Sequence, residues 1–536
     1  MPNYPPGFDP SLKVPGIFFA VVFGGAGTSP GTGQKSILLF GAMIASNLTG
    51  ASPSFTVTAG TASVGIVYQI ISGDQADLLW GKGSELALGC KAVFAAYKAA
   101  TLYAIATATA GGAVAASMTL TIVASSPTPT SINITIAGRT VQYNAVSSDT
   151  ATTIAAGICN AILSNPDIPA TAQNTLGVVT ITHKTPCARG NFVPIRVTLV
   201  YGTTTLKVGA GALAGTLNGI TATLSGGTTS GGAYLMSGGS GAETIATALA
   251  AVASTPYDRY VSAYLDTTTA DAIVTQLTNM AAITTGLRQQ AVVPNVDTYA
   301  NFVTFTTGRN APRLGVAWHY NADALPIEVA AWVATIRLFG DSQLGGAVTG
   351  EAADPAANLN GAMTGLPVQD AVADRPTPTV INNALNNGGT VLAPVSVRSP
   401  YTMIVSSITS RSLSGGLPNY SVYKTKIVTT EDWVAGDISQ QSAQNYPGYK
   451  AAPDPANGAP IDIPKVVTPL AYKAFVQALL KTYEKDGKLI NVDANLPLLS
   501  VTQDTTTPGG LGRFLVYIPG SVIPDFDQVA ATLAQV

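Results

Sequence analysis

The chain changes its secondary-structure grammar twice, and that change limits its architecture more than any motif does. From Ile37 the run ILLFGAMIA is followed by GIVYQII, the helix-like SGDQADLLWGKGSELALGCKAVFAAYKAA and LYAIATA. This alternation of strands and helix reads as α/β. Around Gly111 it gives way to Thr, Ser, Val and Ile in period-2 runs, MTLTIVA, INITIAG, TVQYNAV, VVTIT and VPIRVTLV, broken by a single helix. After SGGTTSGG, Ser225 to Gly232, a linker by composition, the α/β pattern resumes with strand-like RYVSAYL, the helix TADAIVTQLTNMAA, strand-like NFVTF and LGVAW, and the helix IEVAAWVATIRLF. A strand-rich block flanked on both sides by one alternating pattern is a β-rich domain inserted into a single α/β domain.

Local signals place the helices. Ser84 caps a helix whose Leu86, Cys90, Val93, Phe94 and Tyr97 keep helical spacing. In TATTIAAGICNAIL, Ile154, Ile158 and Ile162 form one stripe, and Asn165-Pro166 stops it. The clearest helix starts at Thr468 as cap and Pro469 as first residue and ends before Gly487, with Tyr472, Phe475, Val476, Leu479, Leu480 and Tyr483 on one side. Ahead of it, YTMIVSSITSRSL and SVYKTKIVTTEDWVAGDI read as two alternating strands joined by a Gly-Gly-Leu-Pro-Asn turn. The expected fold class is therefore an α/β core with an inserted β-rich domain, plus an α+β C-terminal domain and extended arms at both ends. The expected boundaries are an N-terminal arm and Gly-rich linker at 1–36, core at 37–110 and 233–350, insert at 111–232, a linker region holding a short helix and strand at 351–400, a C-terminal domain at 401–512 and a C-terminal arm at 513–536.

Composition narrows the function. Lys plus Arg (27) nearly balance Asp plus Glu (29), and only 10% of the 536 residues are charged, so no basic footprint for nucleic acid exists. Low charge with 54 Gly, 34 Pro and 46% hydrophobic residues suits a chain that packs against other chains. Three widely spaced cysteines, Cys90, Cys159 and Cys187, read as small buried hydrophobes and not as a disulfide framework. The prolines around IFFAVVF argue against a signal peptide, and no apolar run reaches the roughly 20 residues of a membrane span.

Three candidate chemistries fall short of an active site. GGAGTSPGTGQKS, Gly24 to Ser36, imitates a phosphate loop, but Gln34 pushes Lys35 and Ser36 out of register and a strand-like run follows where a helix must begin. His183 and Cys187 in HKTPC form one pair where a metal site needs about four ligands. His319 ends LGVAWHY at the carboxyl end of a strand, where open α/β sheets place their sites, with Asp323 and Glu328 close in sequence. No G-x-S-x-G elbow supplies a nucleophile for it. No catalytic residue, cofactor or metal is expected.

Several blocks in order resemble the tail sheath proteins of contractile bacteriophages, in particular the Mu-like branch. They are KVPGIFFAVV, SGDQADLLWGKGSELALGCKAVFAAYKA, TPYDRYVSAYLDTTTADAI, ITSRSLSGGLPNYSVYKTKIVTTEDWV and PKVVTPLAYKAFVQALLKTYEKDGKLINV, spanning about residue 12 to the end. The resemblance implies a non-enzymatic virion subunit that assembles in the host cytoplasm as hexameric rings stacked helically around a tail tube. It implies contraction that drives the tube through the host envelope, and contacts with the tube protein, baseplate and tail terminator, without nucleic-acid binding or membrane insertion. It also implies an insert on the outside of the tail and a C-terminal domain against the tube, with Lys473, Lys481 and Lys485 facing tube or neighbour. Arms that add strands to adjacent subunits are expected at Ile17, Phe18, Phe19 and Val21, tethered by the Gly-rich stretch, and at Phe514, Val516 and Ile518. The competing readings are a β-rich virion or cell-surface structural protein that does not contract, and an α/β enzyme using His319.

Overall fold

The computed structural model describes residues 35–523, apart from 126, 210–212, 283–284, 344–365, 367–368, 370–371, 395–401, 415, 420–422, 456–462 and 506–511. Its centre is an eight-stranded sheet in the order Thr402–Ile404, Thr390–Pro394, Leu314–Trp318, Gln290–Asn295, Arg259–Ser262, Ser36–Gly41, Thr101–Ala106, Val67–Ile70. The six inner strands run parallel and the two edge strands antiparallel. Ser36–Gly41 is buried along its whole length, which explains why SILLFG is continuously apolar and does not alternate. Its successive side chains serve opposite faces. Ile37 and Leu39 pack with Leu86, Cys90 and Ile327 of the helices Glu85–Ala96 and Pro326–Gln343. Leu38 and Phe40 pack with Ile273, Leu277 and Phe302 of the helices Thr267–Met280 and Tyr299–Arg309.

The inserted unit interrupts this sheet between Thr101–Ala106 and Arg259–Ser262. Its first sheet has the order Ala214–Leu217, Ile220–Ser225, Ser117–Ala124, Val178–His183, Ala170–Thr175. The second is built on Pro194–Tyr201, Thr130–Ile136 and Arg139–Ala145. Alternate residues of Ser117–Ala124, Thr130–Ile136 and Val178–His183 are buried, as the period-2 pattern requires. The helix Ala151–Ser164 starts at a Thr150–Thr153 capping box and buries Ile154, Ile158 and Ile162.

Three local expectations are corrected, and one hairpin is added. SGGTTSGG is not a linker: Thr228–Ser230 and Ala233–Leu235 are strands of the insert, and the insert continues to antiparallel bridges at Ser117–Ser237 and Val114–Ser240. NFVTF lies in the helix Tyr299–Arg309, where Phe302, Phe305 and Thr306 share a buried face; a five-residue apolar run does not distinguish helix from strand. Among its described residues SVYKTKIVTTEDWVAGDI supplies no strand but most of the helix Thr425–Asn445, which buries Val428, Asp432, Ala435, Ile438 and Ser442 at helical spacing. Its β-branched start mimics a strand, and burial of that stripe outweighs the weak propensity. The hairpin Leu48–Ala51 with Ser54–Val57 was not anticipated, because its residues alternate only between half-buried and exposed and offer no apolar pattern.

In the 351–400 region, the helix Pro378–Asn386 and the strand Thr390–Pro394 follow the sequence signals, and that strand joins the core sheet. The C-terminal unit packs Val434 and Ile438 against Tyr472, Val476, Leu480 and Tyr483 of the helix Pro469–Lys485, with Leu489 and Leu499 closing the cluster.

Gly157 faces the Tyr143 ring so closely that an added Cβ would lie 2.0 Å from it. Gly157→Ala, which elsewhere in a helix stabilises, is therefore expected to destabilise the insert by about 1–3 kcal/mol through overpacking. Thermal unfolding of the variant checks this, and an unchanged or raised midpoint contradicts it.

Candidate functional site

The chain reverses its order in the core sheet beside Ser36–Gly41, and the crevice at the carboxyl ends of these strands is where open α/β sheets bind ligands. Here that crevice is filled from within. Glu85 opens the helix Glu85–Ala96, whose Ser84 cap accepts from Ala87 N at 3.2 Å. Its Oε2 accepts from the Ala42 amide at 3.3 Å, so a carboxylate stands where the helix N-terminus favours an anion. Arg189 of the insert donates to it from Nε at 2.8 Å and Nη2 at 2.7 Å, and Nη2 reaches Glu243 Oε2 at 2.9 Å.

Glu243 Oε2 also accepts from Tyr264 Oη at 2.6 Å and Thr107 Oγ1 at 3.1 Å, and Thr107 and Tyr264 bond to each other. The Arg189 guanidinium lies 4.2 Å from the centre of the Tyr264 ring. Burial alone would lower the Arg189 pKa, but the Glu85 carboxylate outweighs it and holds the guanidinium charged. Burial pushes the Tyr264 phenol well above its ordinary range, so it remains a donor. Glu85 is engaged through both oxygens and Glu243 through Oε2, while the buried Glu243 Oε1 has no hydrogen-bond partner among the described residues.

Further ion pairs fasten the insert around this centre. Arg139 Nη2 meets Glu328 Oε1 at 2.6 Å, and Arg196 pairs with Asp323. Lys91 bridges Asp77 at 2.8 Å and Asp167 at 2.6 Å. Lys184 donates to the Pro166 carbonyl at 2.7 Å and the Lys82 carbonyl at 3.1 Å, and burial brings its pKa down to about 8. A cleft of about 480 Å³ lies along this seam, with Asp74, Asp77, Lys82 and Lys184 in its wall. Its two acids and two lysines balance.

The residues singled out in the sequence are dispersed. His319 is fully buried beyond Leu314–Trp318, its amide bonded to Asn295 O at 2.9 Å. Asp323 and Glu328 turn instead to Arg196 and Arg139. Neither ring nitrogen of His319 makes a hydrogen bond of ordinary geometry, although the Gln369 side chain is close enough to offset part of the burial that lowers its pKa to about 4. Buried His183 contacts the Thr185 carbonyl at 2.7 Å through Nδ1, and Cys187 Sγ donates to the same oxygen at 3.5 Å. No group of three potential metal ligands occurs among the described residues. Lys35 donates to Leu338 O at 2.9 Å, and Ser36 begins a strand, so no helix N-terminus follows the glycine-rich stretch.

Ile17, Phe18, Phe19 and Val21 lie outside the described residues. At the other end, Phe514–Tyr517 pairs antiparallel with Ser500–Gln503 of its own chain, and Phe514, Val516 and Ile518 pack on the C-terminal core. Each of these two strands has one strand partner among the described residues. Leu498 and Tyr517 are 59% and 58% exposed beside them. On the helix Pro469–Lys485, Lys481 makes an exposed pair with Asp493 at 2.9 Å, Lys485 is exposed in the last turn, and Lys473 is half-buried. Nearby Lys488 is not free: its Nζ sits 4.0 Å from the centre of the Trp433 ring and 3.1 Å from Asp486.

The Glu85–Arg189–Glu243–Tyr264 centre was not foreseen. Its one sequence signal was the scarcity of charge, since an acidic residue directly after a helix cap in so apolar a segment calls for a buried partner.

No family model matches the chain, and no curated protein matches its sequence. Among solved structures, it is similar to a sheath tail protein of Desulfitobacterium hafniense, at 13% identity and a TM-score of 0.43, over 95% of this chain and 100% of that one. It is also similar to a sheath tail protein of Listeria innocua, at 12% identity and a TM-score of 0.43, over 93% and 94% of the two chains. A third similarity, at 14% identity and a TM-score of 0.33, covers 52% of this chain and 71% of the sheath protein in the contracted sheath complex of the extracellular contractile injection system PVC.

The His319 environment sets a pH dependence. Between pH 6.5 and about 4 the unfolded chain binds a proton that the folded chain refuses, so stability is full above this window and falls as pH drops through it. The contribution is on the order of 3 kcal/mol. Denaturant unfolding of His319→Gln at pH 7 and pH 4.5 should show a smaller acid loss than the parent, with a residual loss from His183, whose pKa burial also lowers. An equal loss in parent and variant contradicts this.

Proposed function

We propose that this protein is a structural subunit of a contractile tail sheath, of the Mu-like branch, that polymerises around a tail tube and contracts to drive it through the host envelope. The observation that carries the reading is the two-stranded sheet Ser500–Gln503 with Phe514–Tyr517 on the C-terminal unit. Its outer edges have no further strand among the described residues, and exposed Leu498 and Tyr517 flank it. The apolar run Ile17–Phe23, on a tether containing GGAGTSPGTG, supplies a strand of suitable character from a neighbouring subunit.

The ordered sequence blocks and the insert-in-core architecture support the same reading. So does the filling of the α/β crevice by the paired side chains of Glu85 and Arg189. On this reading hexameric rings of the chain stack helically in the virion tail after assembly in the host cytoplasm. The tube, baseplate and terminator are its partners, the insert lies outermost, and Lys473, Lys481 and Lys485 face the tube or a neighbour. Strand addition through a flexible tether keeps subunits linked while they change packing, and the two packings differ in free energy without any bond hydrolysis.

Electron microscopy of the purified chain is the test. Hollow cylinders or helical tubes are expected, and deletion of residues 1–30 should abolish them while leaving the folded subunit, by circular dichroism, intact. Monodisperse monomers from the full chain at high concentration would sink the proposal and favour a non-contractile β-rich structural protein.

A further inference from the structure

We propose that the α/β core contains a guanidinium-binding site at its switch point, permanently occupied by Arg189, and that this occupancy makes the inserted domain an obligate partner of the core. Every wall of the site belongs to the core or to the segment returning to it. Glu85 opens a core helix, Thr107 follows the strand Thr101–Ala106, Tyr264 follows Arg259–Ser262, and Glu243 lies between insert and core. The occupant alone comes from the insert, at the short helical turn Ala188–Phe192.

The fit is specific to a guanidinium. A planar fork presents Nε and Nη2 together to the two oxygens of Glu85, and Nη2 still reaches Glu243. The guanidinium carbon lies over the Tyr264 ring, 4.2 Å from its centre. An ammonium group has neither the fork nor the face. The Glu85 and Glu243 side chains are only 4% and 0% exposed, so removal of Arg189 leaves them facing a buried volume in which water supplies hydrogen bonds but no positive charge. Two buried carboxylates would then share one vacant volume, the uncompensated case that costs most.

Thermal unfolding of full-length Arg189→Ala tests the site, with methylguanidinium chloride at about 10 mM as the probe, and methylammonium chloride and sodium chloride at equal concentration as controls. The first transition is expected to fall by roughly 10 °C. Methylguanidinium should recover part of that fall and the two controls should not. The triple variant Arg189→Ala, Glu85→Gln, Glu243→Gln should regain stability without the probe and lose the response to it. An unchanged transition in Arg189→Ala, an equal response to all three salts, or an equal methylguanidinium response in the unaltered protein overturns the proposal. Should Arg189→Ala prove insoluble, a soluble triple variant supports the site, and an equally insoluble one overturns it.

Discussion

The structure depends on a buried ion-pair network at the seam between two differently built domains. Arg189 crosses from the insert to Glu85 and Glu243 at the one place in the sheet where a crevice is geometrically unavoidable. In a chain with so few charged residues, pairs such as Arg139–Glu328 and Arg196–Asp323 carry unusual weight. Each holds a cation of the insert against an acid of the core, so the registration of the two domains is electrostatic as well as apolar. Breaking one partner of such a pair costs about 3–5 kcal/mol, a large fraction of a typical folding free energy.

A similar device joins the C-terminal unit. Arg313, just before the strand Leu314–Trp318, donates to both oxygens of Asp432 in the helix Thr425–Asn445, and Gln290 reaches Thr429 in the same helix at 2.9 Å. These contacts sit at the amino ends of the parallel strands, whereas the Arg189 centre sits at their carboxyl ends. The core sheet is thus clamped at both ends by the units on either side of it.

Much of the fold was legible because periodicity carries burial. ILLFGAMIA announced a strand, MTLTIVA and INITIAG announced strands of period 2, and Thr468-Pro469 with Gly487 framed a helix correctly. Failures came where local and tertiary preferences diverge. KIVTT is β-branched yet helical, because a buried stripe from Val428 to Ser442 decides the matter. The Arg189 centre escaped notice for a different reason: Arg189 and Glu85 are 104 positions apart and Thr107 and Tyr264 are 157 apart, and no local spacing encodes such a meeting. His319 was correctly placed beyond a core strand, but sequence gave no measure of its burial.

The paired strands at the base of the insert also bear on how the chain folds. Thr107 and Glu243 are 136 positions apart yet share a hydrogen bond, and bridges at Val114–Ser240 and Ser117–Ser237 hold the two connecting segments side by side. Closing a flexible loop of that length costs about 4 kcal/mol in chain entropy before the core strands on either side gain any contact. An insert that folds first meets this cost with its own β pairing, so the core strand Arg259–Ser262 arrives beside Ser36–Gly41 as though it followed Thr101–Ala106 directly in sequence. In kinetic terms an insert that folds first is a splint for the core.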